Sequence, residues 1–228
     1  MRASPGECPL CGPTLFIRFF RGDFGVRCGR CGAARNTVAL VHALKVHAAR
    51  AVRGAVIVNS RRGPFLDWLK RTAGELTTTA YIDGAAPGAI VGDARHEDLQ
   101  SLTFADGSAD AFVNQEVFEH VVDDRQAFRE VFRVLRPAGV LAFTVPLEPH
   151  RATTLERARL DNGGIIHLTE PEYHDEPNGG RILAFRSYGD DVVERLREAG
   201  FARAFIDDAR LPLGSLAVGR GVVIAIKG

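Results

Sequence analysis

Buried strands and amphipathic helices alternate along the chain, and the pattern is clearest near its middle. An apolar run at Asp110–Asn114 predicts a buried strand. Apolar side chains then recur at helical spacing from Phe128 to Leu135, and the Arg-Pro-Ala-Gly that follows predicts the end of that helix. A second apolar run at Val140–Val145 predicts another strand. Strand, helix and strand in this order form a βαβ unit, which predicts a parallel sheet with helices on its faces.

The same reasoning predicts the other elements of this domain. The predicted strands are Gly54–Asn59, Leu76–Ile82, Gly88–Gly92, Phe201–Asp207 and Gly221–Lys227. The predicted helices are Asn36–Ala51, Phe65–Thr72, His150–Arg159 and Ser187–Ala199. One segment, Asp161–Gly180, crowds prolines and glycines against aromatic and acidic residues. Because long irregular segments are uncommon inside compact domains, we expect this one to be a functional loop.

Length and composition narrow the class of protein. The 228 residues suit one α/β domain with a small appendage, and 46% hydrophobic with 25% charged residues is typical of globular proteins. The net charge of +1 provides no strong field towards nucleic acid or an anionic membrane. No apolar run approaches the ~20 residues of a membrane span, and the N-terminus lacks the apolar core of a signal peptide. We therefore expect a cytoplasmic protein without membrane contact, in an oligomeric state that the sequence leaves open.

All four cysteines lie near the N-terminus in two Cys-x-x-Cys pairs. Cys8 and Cys11 form the first pair, and Cys28 and Cys31 form the second, sixteen residues further on. Such turns direct two thiolates at one ion, and the glycine after each pair allows backbone amides to turn towards the sulfurs. Apolar stretches on both sides of residues 21–23 predict a hairpin between the pairs. The pattern predicts a ribbon with one structural zinc, and two disulfides or a redox-active pair are the alternatives.

The middle of the chain also resembles a known family. The segment SADAFVNQEVFEHV, followed by AFREVFRVLRPAGVLAFTVP, is similar to the fourth strand, following helix and fifth strand of class I S-adenosylmethionine-dependent methyltransferases of the type 11 group. Ala138 replaces the first glycine of the family's usual Pro-Gly-Gly turn. The resemblance implies an α/β fold with a Rossmann-like, seven-stranded, mostly parallel sheet and an antiparallel C-terminal strand hairpin. Three parts then follow: a zinc ribbon at 1–35, a connecting helix at 36–53 and the methyltransferase domain at 54–228.

The resemblance implies S-adenosylmethionine as cofactor at the carboxyl ends of the strands. In the family the first strand ends in an acidic residue and Gly-x-Gly-x-Gly, whose glycines let the backbone approach the methionine part of the cofactor. Here Asn59 and Ser60 stand where the acidic residue is usual, and only Gly63 remains of the glycines. We therefore expect weak cofactor binding, in the micromolar range or worse.

Further cofactor contacts are implied by position. Asp83 follows the second strand, where an acidic side chain usually accepts hydrogen bonds from the ribose, although a simple turn aspartate is the alternative. Asp98 and Leu99 match the family's adenine-binding segment, although Asp98 is also suited to capping a surface helix. The loop after the fourth strand completes the implied site with Asn114, Gln115 and Glu116.

The insertion after the fifth strand commonly covers the acceptor in this family, so Asp161–Gly180 is the candidate acceptor segment. Tyr173 and Asp175 are its candidate substrate-binding residues. His174 is its candidate acid–base residue, because imidazole accepts a proton near neutral pH. A solvated His174 on a mobile surface loop is the alternative. His120 is a second candidate base, although a Glu-His pair at this place more often fixes the loop in the family.

Three functions are compatible with the sequence. The first is methyl transfer from S-adenosylmethionine to a small-molecule acceptor, with a zinc ribbon that orders the N-terminus or helps to hold the acceptor. The second is a degenerate methyltransferase domain that serves as a binding or scaffolding module, which the altered first turn favours. The third is an RNA methyltransferase that docks through the ribbon, where positive charge comes from Arg18, Arg21, Arg27, Arg30 and Arg35. The near-neutral chain argues against nucleic acid, because such binding depends mainly on neutralising phosphates.

Overall fold

The computed structural model describes residues 2–20, 25–148, 151–175, 180–208 and 221–228. Its α-helices are α1 Arg35–His47, α2 Pro64–Thr72, α3 Asp124–Val134 and α4 Val192–Glu198. Its strands are β1 Arg2–Cys8, β2 Gly12–Arg18, β3 Val26–Cys28, β4 Ala55–Asn59, β5 Glu75–Ala80, β6 Ile90–Val91, β7 Ala94–His96, β8 Ala109–Gln115, β9 Leu135–Thr144, β10 Leu155–Glu156, β11 Ala158–Asp161, β12 Gly164–His167, β13 Glu172–Asp175, β14 Arg181–Ala184, β15 Arg186–Ser187, β16 Arg203–Asp207 and β17 Val222–Ile226. Two 3-10 helices cover Ala51–Arg53 and Phe118–His120. Over these stretches, no helix has both the length and the apolar character needed to cross a membrane.

An eight-stranded sheet forms the centre of the protein, in the order β16-β17-β9-β8-β4-β5-β7-β6. The strands from β9 to β7 in that order are parallel, whereas β17 is antiparallel to both β9 and β16. The predicted Rossmann-like sheet with an antiparallel C-terminal hairpin is therefore confirmed. The predicted number of strands is one too low. The predicted strand Gly88–Gly92 corresponds to β6, whereas β7 at Ala94–His96 was not predicted and pairs in parallel with β5.

Side chains of the sheet alternate between two hydrophobic cores, as the period of two in a strand requires. In β4, Val56 and Val58 pack with α1 and α2 on one face, while Ile57 packs with α3 and α4 on the other. All three side chains are buried. Helices thus cover both faces of the parallel strands. The carboxyl ends of these strands remain available for a ligand.

The N-terminal segment folds as a three-stranded antiparallel sheet in the order β1-β2-β3. β2 and β3 form the predicted hairpin, although residues 21–24 at its tip lie outside the described part of the chain. The sequence does not predict β1, because Pro5 and Gly6 interrupt its pattern. Phe16 and Val26 are fully buried in the same core as Leu40 of α1. The ribbon and the main domain therefore share one hydrophobic core.

The segment between β9 and α4 differs from the prediction. The helix predicted at His150–Arg159 is wrong where the chain is described, because β10 and β11 are extended there and pair with β15 and β12. The irregular loop predicted at Asp161–Gly180 is also wrong where described, because β12 and β13 occupy much of it. Residues 149–150 and 176–179 lie outside the described part. The insertion is a series of short antiparallel pairs rather than a helix and a loop.

The dipeptide Asn162-Gly163 indicates a hairpin within this insertion, although the proline and glycine content of the segment suggests a loop. These residues join β11 to β12 with φ angles of +48° and +80°. Two positive φ angles in a two-residue connection are typical of a type I′ hairpin turn, for which Asn-Gly is the preferred sequence. The turn therefore dictates an antiparallel hairpin where proline and glycine content suggests a loop.

Two predicted helices are shorter in the structure. The helix predicted at Ser187–Ala199 begins at Val192, because Ser187 lies in β15. Asp191 precedes this helix, and its carboxylate accepts hydrogen bonds from the Thr154 backbone amide and hydroxyl at 2.7 and 2.6 Å. The connecting helix ends at His47, and a separate 3-10 turn follows it.

Ala138 has a backbone conformation that favours glycine. Its φ angle is +61°, in the turn where the family usually has glycine, and its side chain is exposed. Its amide donates a hydrogen bond to the Lys227 carbonyl at 3.0 Å, which ties the start of β9 to the end of β17. The strain of an alanine here costs about 1–2 kcal/mol, partly offset by the lower backbone entropy of unfolded alanine relative to glycine.

We expect Ala138→Gly to raise the free energy of unfolding by about 0.5–1 kcal/mol. Urea denaturation of both proteins measures the difference. Ala202→Gly is the matched control, because Ala202 is exposed and lacks a positive φ angle. The control should leave stability unchanged or lower it. Equal effects of the two substitutions would contradict the assignment of strain to Ala138.

Candidate functional site

A cleft opens at the carboxyl ends of the parallel strands. β4, β5 and β8 end side by side here, because Asn59 pairs with Thr79 on one side and with Asn114 on the other. The cleft has two adjoining compartments of about 690 and 340 Å³. The residues that line both compartments are Asn59, Tyr81, Val117, His120 and Ile182. Open α/β sheets bind ligands at this position, and the volume is sufficient for a nucleoside.

Six of the nine predicted cofactor residues line this cleft. Those in the larger compartment are Asn59, Ser60, Gln115 and Glu116. Those in the smaller compartment are Asp98 and Leu99. The Asp98 carboxylate also accepts hydrogen bonds from the Gln100 backbone amide at 2.9 Å and side-chain amide at 3.1 Å. Asp98 therefore caps its own turn and faces the cleft, so both predicted roles are compatible with its position.

The other three predicted cofactor residues lie outside the lining of the two compartments. Gly63 precedes α2 with φ +100°, and apart from its two neighbours in sequence no described residue has an atom within 4 Å of the position a Cβ would take. Asp83 lies on an exposed turn beyond β5. Asn114 is fully buried in β8, where neither polar atom of its side chain has a hydrogen-bond partner among the described residues. The first turn thus has free space above the start of α2, whereas Asn114 lies below the cleft floor.

Sequence reasoning did not identify two arginines that line the larger compartment, Arg61 and Arg62. Arg61 donates hydrogen bonds to Asp93 at 3.2 and 3.1 Å, and both side chains are exposed. The Arg61 guanidinium holds the pKa of the Asp93 carboxyl below its usual value. The signal was available in the sequence Ser-Arg-Arg-Gly, which places two cations where the family has glycines. Positive charge at this turn is suited to an anionic part of a ligand.

His120 and His174, the two predicted acid–base residues, are in contact. Their rings meet edge to face, with His120 Nε2 and His174 Nδ1 3.3 Å apart. His174 belongs to β13 rather than to a loop, and its Nε2 lies 3.2 Å from Glu172 Oε1. His120 Nδ1 lies 2.9 Å from the Leu183 carbonyl. Burial lowers the pKa of His120, and the neighbouring His174 lowers it further against the opposing effect of that carbonyl.

Sequence reasoning gave Glu119 only a part in fixing its loop, as one half of the Glu119-His120 pair. Its carboxylate is fully buried and lies 3.7 Å from both His120 Nε2 and His174 Nδ1. The 3-10 helix Phe118–His120 supplies this residue together with His120, and β13 supplies His174. Glu119 and His120 are adjacent in the sequence, so their proximity is evident from it. The position of His174 beside them depends on the folding of the insertion.

The predicted substrate-binding residues flank this cluster. Asp175 lines the larger compartment, whereas Tyr173 is 42% exposed and lies outside the lining. The Arg181 guanidinium lies 4.9 Å from the centre of the Tyr173 ring. Strand alternation places Tyr173 and His174 on opposite faces of β13, whereas Asp175 is the last residue of the strand. The structure brings His174 to His120 and leaves Tyr173 facing away from them.

A buried ionic network supports the wall of the smaller compartment. Asp124 accepts hydrogen bonds from the Tyr188 hydroxyl at 2.9 Å and from Arg195 at 3.0 Å. Arg186 donates to the Phe118 carbonyl at 3.1 Å and the Val122 carbonyl at 2.7 Å, and also to the Val121 carbonyl. Burial and the Asp124 charge raise the pKa of Tyr188 well above its usual value. The network fixes the backbone from Phe118 to Val122 against α3 and α4.

The four cysteines converge in the ribbon. All four sulfurs lie within 4.8 Å of one another, with Cys8 and Cys31 3.8 Å apart and Cys11 and Cys28 3.5 Å apart. These separations match the edge of about 3.8 Å in a tetrahedron with Zn–S bonds of about 2.3 Å, and exceed a disulfide bond of about 2.05 Å. Burial raises the pKa of Cys8 to about 11. Burial acts in the same direction on Cys28, but hydrogen bonds with the Thr14 side chain and nearby backbone amides outweigh it and lower its pKa to about 6.

Comparison with known proteins narrows the class of protein to which this chain is similar. Residues 61–143 match the methyltransferase domain family. A probable S-adenosylmethionine-dependent methyltransferase of Mycolicibacterium smegmatis is 39% identical over 82 residues, which are 34% of this chain and 32% of that protein. An uncharacterized methyltransferase of Mycobacterium sp. strain KMS is 49% identical over 51 residues, which are 22% of this chain and 20% of that protein. The match thus spans about a third or less of the length of these relatives.

Solved structures extend the likeness to the fold of most of the chain. An S-adenosylmethionine-dependent methyltransferase from Mesorhizobium loti aligns with a TM-score of 0.53 and 18% identity, over 83% of this chain and 98% of that one. A putative S-adenosylmethionine-dependent methyltransferase from Listeria monocytogenes aligns with a TM-score of 0.51 and 10% identity, over 82% and 97% of the two chains. At these identities the likeness concerns the fold alone.

The fold and the cleft define a Rossmann-like α/β protein with a cleft at the carboxyl ends of its parallel strands, where open α/β sheets bind ligands. The matched segment begins at the turn after β4 and ends in β9, so it contains most of the cleft wall. Residues 61–143 therefore match a methyltransferase domain, and most of the chain has the fold of S-adenosylmethionine-dependent methyltransferases, in agreement with the sequence resemblance.

Proposed function

We propose that the protein transfers a methyl group from S-adenosylmethionine to a small-molecule acceptor. The observation that carries the proposal is the cleft at the ends of β4, β5 and β8, within the segment that matches the methyltransferase family. When bound, the cofactor supplies an electrophilic methyl group on sulfur. In-line displacement then needs mainly that the protein hold the two reactants in line and exclude water.

The cleft residues fit the cofactor in two parts. In the smaller compartment, Leu99 offers an apolar surface and Asp98 a carboxylate for the amino group of adenine. In the larger compartment, Arg61 and Arg62 stand in the turn where the family has glycines. The two guanidinium groups are suited to the carboxylate of the methionine part of the cofactor. Their positive charge compensates for the backbone contacts that the missing glycines would allow. We propose binding in the micromolar range on this basis.

The acceptor lies on the His120 side of the cleft in this proposal. Asp175 and Ile182 line the larger compartment, so the insertion covers the place where an acceptor approaches. The contacting His120 and His174 hold the proton that the acceptor releases, which is a role for the pair rather than for His174 alone. The cytoplasm is the compartment we propose, since the four cysteines are free thiols.

The thiols of the ribbon fit a structural zinc. Four cysteine ligands leave no open position for water or substrate, which favours a structural over a catalytic role. Phe16 and Val26 extend the core of the main domain into the ribbon, so the metal would hold part of the fold together. The alternative role in RNA docking is less well supported, because Arg35 is buried and Arg30 donates a hydrogen bond to the Cys11 carbonyl at 2.8 Å.

Asp98→Ala tests the proposed cofactor position. We expect at least a tenfold loss of S-adenosylhomocysteine affinity, measured by thermal shift at increasing ligand concentration. Asp83→Ala is the comparison, because Asp83 lies outside the cleft lining and should leave affinity unchanged. Unchanged affinity in Asp98→Ala would remove this residue from the site. A loss in Asp83→Ala would instead assign it the ribose contact that its place after β5 predicts.

A further inference from the structure

We propose that Glu119, His120 and His174 form a binding site for a divalent transition-metal ion of the zinc class, separate from the ribbon. Their inward atoms are mutually 3.3, 3.7 and 3.7 Å apart. Three ligands of a tetrahedral zinc with bonds of about 2.0–2.1 Å are separated by about 3.3–3.4 Å. Small rotations of the Glu119 carboxylate would close this difference. The inference deepens the proposed function, on which its role for the acceptor rests.

The hydrogen bonds of the two rings fix which nitrogen carries the proton. A backbone carbonyl can only accept, so the His120 Nδ1 that faces Leu183 donates, and its Nε2 presents a lone pair to the cluster. Glu172 is also bound to Arg157 at 2.8 Å, which marks it as an ionised acceptor for the His174 Nε2 proton. His174 Nδ1 therefore presents a second lone pair. Metal-binding histidines are oriented in this way, by a carbonyl or carboxylate on the other ring nitrogen.

Two imidazole lone pairs thus converge with one buried carboxylate. The two lone pairs and the carboxylate repel one another unless a proton or a cation lies between them. Two histidines and one carboxylate are a ligand set of catalytic zinc sites, and imidazole favours zinc, iron, cobalt or nickel over magnesium and calcium. The chemistry of the donors therefore selects a transition metal.

The site borders the cleft through His120, whereas His174 lies outside the lining of both compartments. His120 lines both compartments, whereas Glu119 is fully buried behind it. Three protein ligands leave at least one coordination position, as in catalytic rather than structural zinc sites. We infer that an oxygen of the acceptor occupies it, which makes the acceptor class a hydroxyl compound. With the ion in place, it would substitute for the proton that the histidine pair holds in the metal-free site. The hydroxyl proton of the acceptor would then leave to solvent as the oxygen–methyl bond forms and the carbon–sulfur bond breaks to give S-adenosylhomocysteine.

Metal content of the untagged, full-length protein tests the site. Each protein is dialysed against Zn²⁺, then against metal-free buffer, and its zinc is counted by mass spectrometry. We expect the wild type to hold one equivalent more than His174→Ala. His167→Ala is the matched control, because His167 is an exposed histidine on the neighbouring β12 and should retain the wild-type content. Glu119→Gln, which preserves volume, should weaken the second equivalent at least tenfold without unfolding the chain.

Cobalt distinguishes the two metal sites. Co²⁺ in the ribbon produces thiolate charge-transfer absorption, whereas Co²⁺ on histidine and carboxylate produces only d–d bands, and His174→Ala should remove the second signal alone. Equal metal content in wild type and His174→Ala would overturn the inference, and a proton shared by the two histidines would then take the place of the metal. S-adenosylhomocysteine binding is measured in the same samples. Its absence from the wild type would refute the proposed function whatever the metal count.

Discussion

Replacement of Asp124 by asparagine is expected to lower the free energy of unfolding by about 3–5 kcal/mol. The side chain of Asp124 is only 4% exposed, and its carboxylate contacts both Arg195 and Arg186, at 3.0 and 3.7 Å. Asparagine keeps the shape but removes the charge. Glu156 would then be the counter-charge that these two cations share, at 3.3 Å from Arg186 and 2.8 Å from Arg195. Asp191, 3.5 Å from Arg195, contacts only that arginine of the two. Incompletely compensated buried charge accounts for the size of the expected loss.

Denaturant unfolding measures this loss, with Asp106→Asn as the control. Asp106 also forms an ion pair, with Arg133 at 2.6 Å, but its side chain is 79% exposed. Water already solvates an exposed pair, so the control should change stability by under about 1 kcal/mol. Similar losses in the two variants would contradict the account, because they would show that burial of the network does not determine its energy.

The same variant should weaken the cleft. Arg186 holds the carbonyls of Phe118, Val121 and Val122, and the last two residues line the smaller compartment. If Arg186 turns to other partners, this wall loses its fixed position. We therefore expect lower S-adenosylhomocysteine affinity in Asp124→Asn even under conditions where the protein is fully folded.

Cys31→Ser has the second large expected effect. A serine hydroxyl is a poor zinc ligand, so we expect the ribbon to lose its metal and the charge-transfer absorption of its cobalt form. Apparent binding energies of structural zinc reach about 10–16 kcal/mol in small domains, so residues 2–35 should unfold and become sensitive to protease. Because the ribbon shares a core with α1, the thermal stability of the main domain should also decrease.

Arg30→Ala is the control for this experiment. Arg30 is exposed and adjoins Cys31, and it donates a hydrogen bond to the Cys11 carbonyl but no metal ligand. It should retain the zinc of the wild type with a small loss of stability. Full zinc content and protease resistance in Cys31→Ser would refute the structural zinc, and reducing-agent sensitivity of the wild type would instead favour disulfides.

The sequence predicted most of the central sheet because its strands are continuously apolar. Strands such as β4, β8 and β9 are buried on both faces, so their continuous apolar runs are stable only inside the sheet. The apolar pattern of these segments therefore predicts their position in the fold correctly. The insertion was predicted wrongly because its short strands bury few side chains, and β12 is exposed throughout. Such strands are specified by turns and by contacts distant in sequence. Asn162-Gly163 was the only local signal for them.

The candidate site was predictable in part for the same reason. Asn59 and Gln115 follow from strand ends, whose alignment a parallel sheet guarantees. The contact between His120 and His174 joins residues 54 positions apart and depends on pairing of β13 with β14. The sequence contains no periodic pattern that predicts the register of β13 against β14. Asp83 illustrates the opposite error, since two further residues after β5 carry it onto an exposed turn.

The most direct test is a calorimetric titration of the folded, full-length protein with S-adenosylhomocysteine and, separately, S-adenosylmethionine. The account predicts one site per chain with a dissociation constant in the micromolar range, weaker than a glycine-rich first turn would give. Absence of binding by either ligand at millimolar concentration would contradict it. That result would favour the alternative function, a degenerate methyltransferase domain that serves as a binding or scaffolding module.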